Sequence, residues 1–114
     1  MAPHPEPDIT RFADMLAAMG AEARLRIVRL LLAAHPHGMA AGDISTELEI
    51  APSTLSHHLD RLKRENVVGV RREGTFLWYT ANTEALEQVI KFLFAECCTR
   101  STAISPERLT FVKS

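Results

Sequence analysis

Between residues 51 and 80 a short amphipathic helix runs directly into a basic pair of alternating strands, and few folds accommodate that succession. Apolar residues at Leu55, Leu59 and Leu62 predict a helix with one buried face. Pro52 suits its first turn, where a missing N–H costs nothing. The opposite face can then present Ser53, Thr54, Ser56 and His57, which can hydrogen-bond to bases and phosphates. Past Val67 the period changes to two. Val68, Val70 and Arg72 alternate with Gly69 and Arg71, Gly74 permits a turn, and Thr75 to Thr80 return. This pattern predicts a hairpin with Arg71 and Arg72 beside its tip. The expected fold class is mainly α with a small β-hairpin, an α+β arrangement.

Three stretches carry a family resemblance: Ala23 to Leu32 (ARLRIVRLLL), Ser53 to Leu62 (STLSHHLDRL) and Val67 to Tyr79 (VVGVRREGTFLWY). In this order they resemble the winged helix-turn-helix repressors of the ArsR/SmtB family, over roughly residues 10 to 98. The resemblance implies a winged helix-turn-helix fold, a homodimer and repression of transcription on double-stranded operator DNA. On that reading Ser53, Thr54, Ser56 and His57 approach base edges, while Arg61, Lys63, Arg64, Arg71 and Arg72 meet phosphates.

Composition is compatible with this reading. A chain of 114 residues is the size of one domain with one modest core. Its net charge of −1 argues against a non-specific nucleic-acid coat. The average conceals a patch, because between residues 61 and 72 Arg61, Lys63, Arg64, Arg71 and Arg72 face only Glu65. Neither an apolar run long enough to span a bilayer nor a charged-then-apolar leader is present, so the expected location is the cytoplasm, with no membrane partner. An enzyme is not expected, since Cys-x-x-Cys, a glycine-rich phosphate loop and a serine elbow are all missing. A bare dimerisation module is disfavoured by the basic wing and the polar recognition face.

Along the chain, residues 1–7 read as a proline-rich arm, 8–98 as the DNA-binding and dimerisation domain, and 99–114 as a tail. Asp8 is placed to cap a first helix with a stripe of Ile9, Phe12, Ala13, Leu16 and Met19. A second helix is expected over Ala21 to Ala34 with Leu25, Val28, Leu31 and Leu32 inward. Met39 to Ala41 fits a strand closing the wing's sheet, Asp43 to Leu48 a short helix, and Glu49 with Ile50 the turn into the recognition helix. Asn82 or Thr83 caps a last helix whose apolar positions are Leu86, Val89, Ile90, Leu93, Phe94 and Cys97. Two apolar helices at opposite ends of the chain are expected to form a dimer seam, and the family resemblance implies the same geometry. Twofold symmetry then sets two recognition helices ~34 Å apart on a pseudo-palindromic site.

Cys97 and Cys98, the only cysteines, are adjacent. Neighbouring α-carbons lie ~3.8 Å apart, short of the ~4.4 to 6.8 Å usual for a disulfide, so joining them strains the backbone. Soft thiolates select thiophilic ions, and a vicinal pair after the last helix resembles the arsenic-responsive subgroup of the family. That resemblance implies trivalent arsenic as inducer, held by Cys97 and Cys98 as its metal site. With two sulfurs in all, a third valence is left for hydroxide, a small thiol or a carbon substituent. Arsenite, a trivalent organoarsenical such as methylarsenite, and antimonite all stay open. So do a buried structural Cys97 and a redox-sensing pair. The histidine pattern that zinc sensors of the family carry on this helix is missing, because no histidine follows His58. His58 is expected to pack near Leu55 and Leu62, and Arg24, Arg26 and Arg29 to solvate or pair.

Overall fold

The computed structural model describes residues 7–95. Its elements are α1 (Pro7–Met19), α2 (Glu22–Ala33), β1 (Met39–Ala40), α3 (Ala41–Leu48), α4 (Pro52–Arg64), β2 (Val68–Glu73), β3 (Phe76–Ala81) and α5 (Thr83–Phe94). The three strands form an antiparallel sheet in the order β1-β3-β2. Met39 pairs with Tyr79 and Ala40 with Trp78, so β1 closes the wing's sheet as its sequence predicts. Gly38 precedes β1 at φ +82, and a Cβ there would lie 2.2 Å from the Tyr79 carbonyl oxygen. Only glycine lets the two backbones approach that closely.

The core gathers from every helix. Phe12, Met15 and Ala18 of α1, Ile27, Val28 and Leu31 of α2, and Ile44 of α3 meet Leu55, Leu59 and Leu62 of α4. Val67, Val68, Ala81 and Val89 complete it, with no buried polar or charged residue among those described.

Several expectations are corrected here. Helix α1 begins at Pro7, so Asp8 sits in its first turn and does not cap it. Helix α3 begins at Ala41, ahead of the expected Asp43. In α1 the core takes Phe12, Met15 and Ala18, while Ala13 is exposed and Ile9 and Leu16 remain 46% and 41% exposed. In α2 Ile27 is buried, whereas Leu25 and Leu32, expected inward, are 48% and 43% exposed. The cause is an apolar arc on each helix too wide for one core. Leu16, Leu25 and Leu32 instead line a groove with Leu86, Ile90 and Leu93 of α5. Of the apolar positions expected on α5 that lie among the described residues, only Val89 is buried.

Both helices of the reading unit end on a left-handed residue. After α3, Glu49 turns left-handed (φ 54) and the Ile50 N–H donates to the Ser45 carbonyl at 3.1 Å, while Ser45 Oγ donates to the Ile50 carbonyl at 2.6 Å. After α4, Asn66 is left-handed (φ 58), and the Asn66 and Val67 N–H groups donate back to Lys63 and Leu62, each at 3.0 Å. The second is a Schellman closure with buried Val67 and Leu62 supplying its apolar contact, whereas after α3 the Glu49 and Ile50 N–H groups both turn back to the Ser45 carbonyl.

Candidate nucleic-acid interface

Helix α4 buries one side through three leucines. Leu55, Leu59 and Leu62 are buried, which turns Ser53, His57, Asp60 and Arg64 to the opposite face at near-helical spacing. Ser56 with Lys63, and Thr54 with Arg61, occupy the two flanks. All of these are exposed except Arg61, which is half-buried. The Ala51 side chain offers no capping acceptor, and the first turn holds no acidic residue. Its N–H groups therefore leave a positive helix end among the polar residues, while Arg61, Lys63 and Arg64 lie at the other end. Asp60 also stands on the outward strip.

His58 is half-buried, with its Nδ1 3.4 Å from Arg24 Nη1, and Arg24 Nε also donates to the Ala18 carbonyl. Those contacts tie α4 to α1 through α2. Arg26 pairs with Glu22 at 2.8 Å. Tyr79 lies half-buried in the cleft between α3 and α4. Burial raises its phenol above the ordinary value of 10.0, and the Asp60 carboxylate raises it further.

The wing turns on Gly74 (φ +62) and Thr75, with positive φ at the first of two turn residues, as a tight hairpin requires. Arg71 lies opposite Trp78 and Arg72 opposite Leu77, so the two arginines project from opposite faces of the ribbon. Arg71 pairs with Glu73 at 3.2 Å, both exposed. An exposed pair of this kind is worth about 0–1 kcal/mol, which a phosphate can displace.

The reading helix, the wing and the last helix meet at Asn82. Its Oδ1 accepts from the Ala85 N–H at 3.2 Å and so caps α5. Its Nδ2 donates to the Asn66 carbonyl at 2.9 Å, and its own N–H donates to the Val67 carbonyl at 2.9 Å. Sequence reasoning found the cap, but the bond across to the end of α4 leaves no trace in local spacing.

Cys97 and Cys98 lie outside the described residues. Within those residues no three His, Cys, Asp or Glu side chains converge as metal ligands.

Residues 21–70, spanning α2, α3, α4 and the start of the wing, match the model of the bacterial regulatory proteins of the arsR family. The transcriptional activator HlyU of Vibrio cholerae is 33% identical over 93 residues, covering 82% of this chain and 83% of that protein. The chain belongs to the arsR family. It is thus a winged helix-turn-helix transcriptional regulator, and DNA binding is the family's activity. Other arsR-family similarities point the same way. The structure described as reduced HlyU from Vibrio cholerae superposes with a TM-score of 0.61 at 30% identity, over 79% of this chain and 92% of that one. An arsenical resistance operon repressor of Staphylococcus aureus is 29% identical over 81 residues, 71% of this chain and 75% of that protein. The homodimeric winged helix-turn-helix domain of Mb0332 from Mycobacterium bovis has a TM-score of 0.62 at 24% identity, over 92% of this chain and all of that one (100%). Among the described residues of this regulator, no helix is long and apolar enough to cross a membrane.

Proposed function

We propose that this arsR-family regulator is a homodimeric repressor that releases operator DNA when Cys97 and Cys98 take up trivalent arsenic. The observation that carries the reading is α5. Its own chain buries only Val89, leaving Ile90 and Leu93 49% and 58% exposed beside Leu16, Leu25 and Leu32. A second copy is the fitting cover, with α1, α2 and α5 of each protomer contributing to a twofold seam. Mb0332, a homodimer by its description, supports that reading.

In the free dimer the two α4 helices enter successive major grooves. Ser53, Thr54, Ser56 and His57 approach base edges, and Arg61, Lys63, Arg64, Arg71 and Arg72 neutralise phosphates. In sequence the cysteines follow α5 closely. Their thiols displace two hydroxyls of arsenite as water, leaving the third valence to hydroxide; methylarsenite keeps its methyl group, and antimonite reacts alike. Gripping one atom with neighbouring residues deforms the end of the seam helix and alters the seam that sets the spacing of the two reading heads. A coupling of ~1–3 kcal/mol lowers DNA affinity about 5- to 150-fold. Similarity to an arsenical resistance operon repressor supports this inducer class.

A second reading, thiol redox sensing on the same fold, draws support from a relative whose structure is described as its reduced form. Fluorescence anisotropy on promoter DNA separates the two, with arsenite, methylarsenite, antimonite, zinc and peroxide titrated in turn. Release by trivalent arsenic or antimony, abolished by Cys97→Ser with Cys98→Ser, is the expected result. Release by peroxide alone establishes the redox reading, and indifference to all five removes the cysteines from sensing.

A further inference from the structure

Phe76 has no role in the contacts described so far. At 63% exposure it is the most exposed large apolar side chain among the described residues. It opens β3 immediately after the Gly74–Thr75 turn, opposite Glu73, on the ribbon face that also carries Arg71 and Trp78. The other face exposes Val70 and Leu77, each 41% accessible, beside Arg72. The seam does not account for this strip. Leu16, Leu25, Leu32, Ile90 and Leu93 line the groove, whereas the three apolar residues of the wing do not.

Folding gives no reason for an aromatic at that place. The last fully buried pair of the ribbon is Val68 with Ala81; Tyr79 still packs against the core and Trp78 is half-buried, and beyond them Arg72, Glu73, Phe76 and Leu77 are all exposed. A two-stranded tip has nothing of its own to pack against. What remains is a tip that exposes Val70, Phe76 and Leu77, with one arginine on each face and Glu73 paired to Arg71. The complementary surface carries negative charge along two parallel rims and apolar sugar and base edges between them, and the minor groove of DNA has that pattern. Side chains such as Phe can also wedge between base steps there, where flexible pyrimidine–purine steps yield most easily.

We propose that Phe76 makes an apolar contact inside the minor groove, entering beside the wing turn while Arg71 and Arg72 engage the phosphates of the two strands. Phe76 thereby contributes to specificity. The groove distinguishes A·T from G·C chiefly by the guanine amino group, which obstructs an entering ring. This inference rests on the DNA-binding reading of α4 and the wing and adds a residue that carries no charge.

The test is anisotropy on a promoter duplex at several salt concentrations, with the full chain and the variants Phe76→Ala, Phe76→Thr, Phe76→Trp and Arg72→Ala. Thr keeps a strand-favouring side chain, and thermal unfolding of each variant checks that the fold is intact. Phe76→Ala and Phe76→Thr are expected to weaken binding about tenfold with an unchanged slope of log affinity on log salt. Phe76→Trp should restore most of the affinity. Arg72→Ala should reduce the slope by about two, because the dimer loses one phosphate contact in each protomer. Inosine in place of guanine under the wing removes the minor-groove amino and leaves the major-groove pattern; it should strengthen binding of the unsubstituted protein more than that of Phe76→Ala. Equal affinity of Phe76→Ala and the unsubstituted protein overturns the proposal alone. A weakened affinity accompanied by dissociation to monomers in sedimentation overturns it in favour of a contact between copies. Failure of the unsubstituted protein to bind any promoter duplex overturns the DNA-binding reading and the proposal together.

Discussion

Replacing Asn82 should separate the stability of the last helix from its connection to the reading head. The side chain holds the Ala85 N–H at 3.2 Å with its oxygen and the Asn66 carbonyl at 2.9 Å with its nitrogen. Asn82→Ala removes both. Losing an N-cap acceptor costs about 1 kcal/mol. The hydrogen bond to Asn66 lies at the surface and adds the low end of the usual range, about 0.5 kcal/mol. The sum, about 1.5 kcal/mol, corresponds to a fall in Tm of roughly 6–12 °C for a domain of this size. Asn82→Asp keeps the capping oxygen and places a negative charge at the positive end of α5, so it recovers the cap but not the bond to Asn66. Its loss should be no more than about 0.5 kcal/mol. Thermal unfolding at fixed protein concentration measures both, since dimerisation makes Tm concentration-dependent. Amide exchange at Ala85 reports the cap alone and should quicken in Asn82→Ala but not in Asn82→Asp. Equal destabilisation by the two variants, or an unmoved Ala85 amide in Asn82→Ala, would refute the division of labour argued for this residue.

Four other outcomes are expected. Glu73→Gln frees Arg71 from its 3.2 Å pair and removes an anion from the wing, so affinity for promoter DNA should rise and anisotropy should show it most at low salt. Leu93→Asp alters a residue 58% exposed within its own chain, and should leave folding intact but convert dimers to monomers in sedimentation. Gly38→Ala forces a side chain into a left-handed position against the Tyr79 carbonyl, costing at least ~1–2 kcal/mol from backbone conformation alone, measurable by denaturant unfolding. The Tyr79 phenol binds its proton more tightly when folded than when unfolded, so its stabilising contribution is full below pH 10.0 and is lost as pH rises through the higher folded value. Asp60→Asn should bring that value down, which ultraviolet titration of the only tyrosine detects.

The helices and the hairpin were legible in the sequence because each rests on a local period. Leu55, Leu59 and Leu62 are three buried positions of one helix, and the alternation from Val68 to Arg72 is a strand with one core-facing end. Even the two-residue strand β1 could be anticipated, from its place after a break and before a helix. Periodicity could not divide the apolar residues of α1 and α2 between two destinations. Leu25 and Leu31 belong to the same apolar pattern, yet one lies exposed on the groove and the other is fully buried, and that depends on where α5 passes. Charge reasoning placed Arg71 and Arg72 together beside the wing tip, but strand geometry sets them on opposite faces and gives one of them Glu73 as a partner. The contact between Asn82 and Asn66 spans 16 positions and joins two turns, where no repeat exists to betray it.

The distribution of attachments explains how so small a protein can switch. Besides the buried Val89 and the partly buried Ala85 and Leu86, α5 reaches its own chain through the Phe12 and Phe92 rings, whose centres are 4.6 Å apart, the exposed bond of Arg11 to Gln88 at 3.2 Å, and the Asn82 cap. Helix α4, by contrast, is fixed by three buried leucines. Truncating any one of those leucines to alanine would cost about 2–5 kcal/mol, more than a typical allosteric coupling can supply. A ligand at the end of α5 therefore cannot reshape the reading helix, but it can tilt the helix that is weakly held. If α5 forms the seam, such a tilt changes the separation of two intact reading heads. DNA release then follows from spacing, because both heads must fit grooves one turn apart. On this argument an inducer should leave amide exchange in α4 unchanged while altering it in α5 and along the groove. Quickened exchange at Leu59 and Leu62 on induction would show instead that the reading helix itself unfolds.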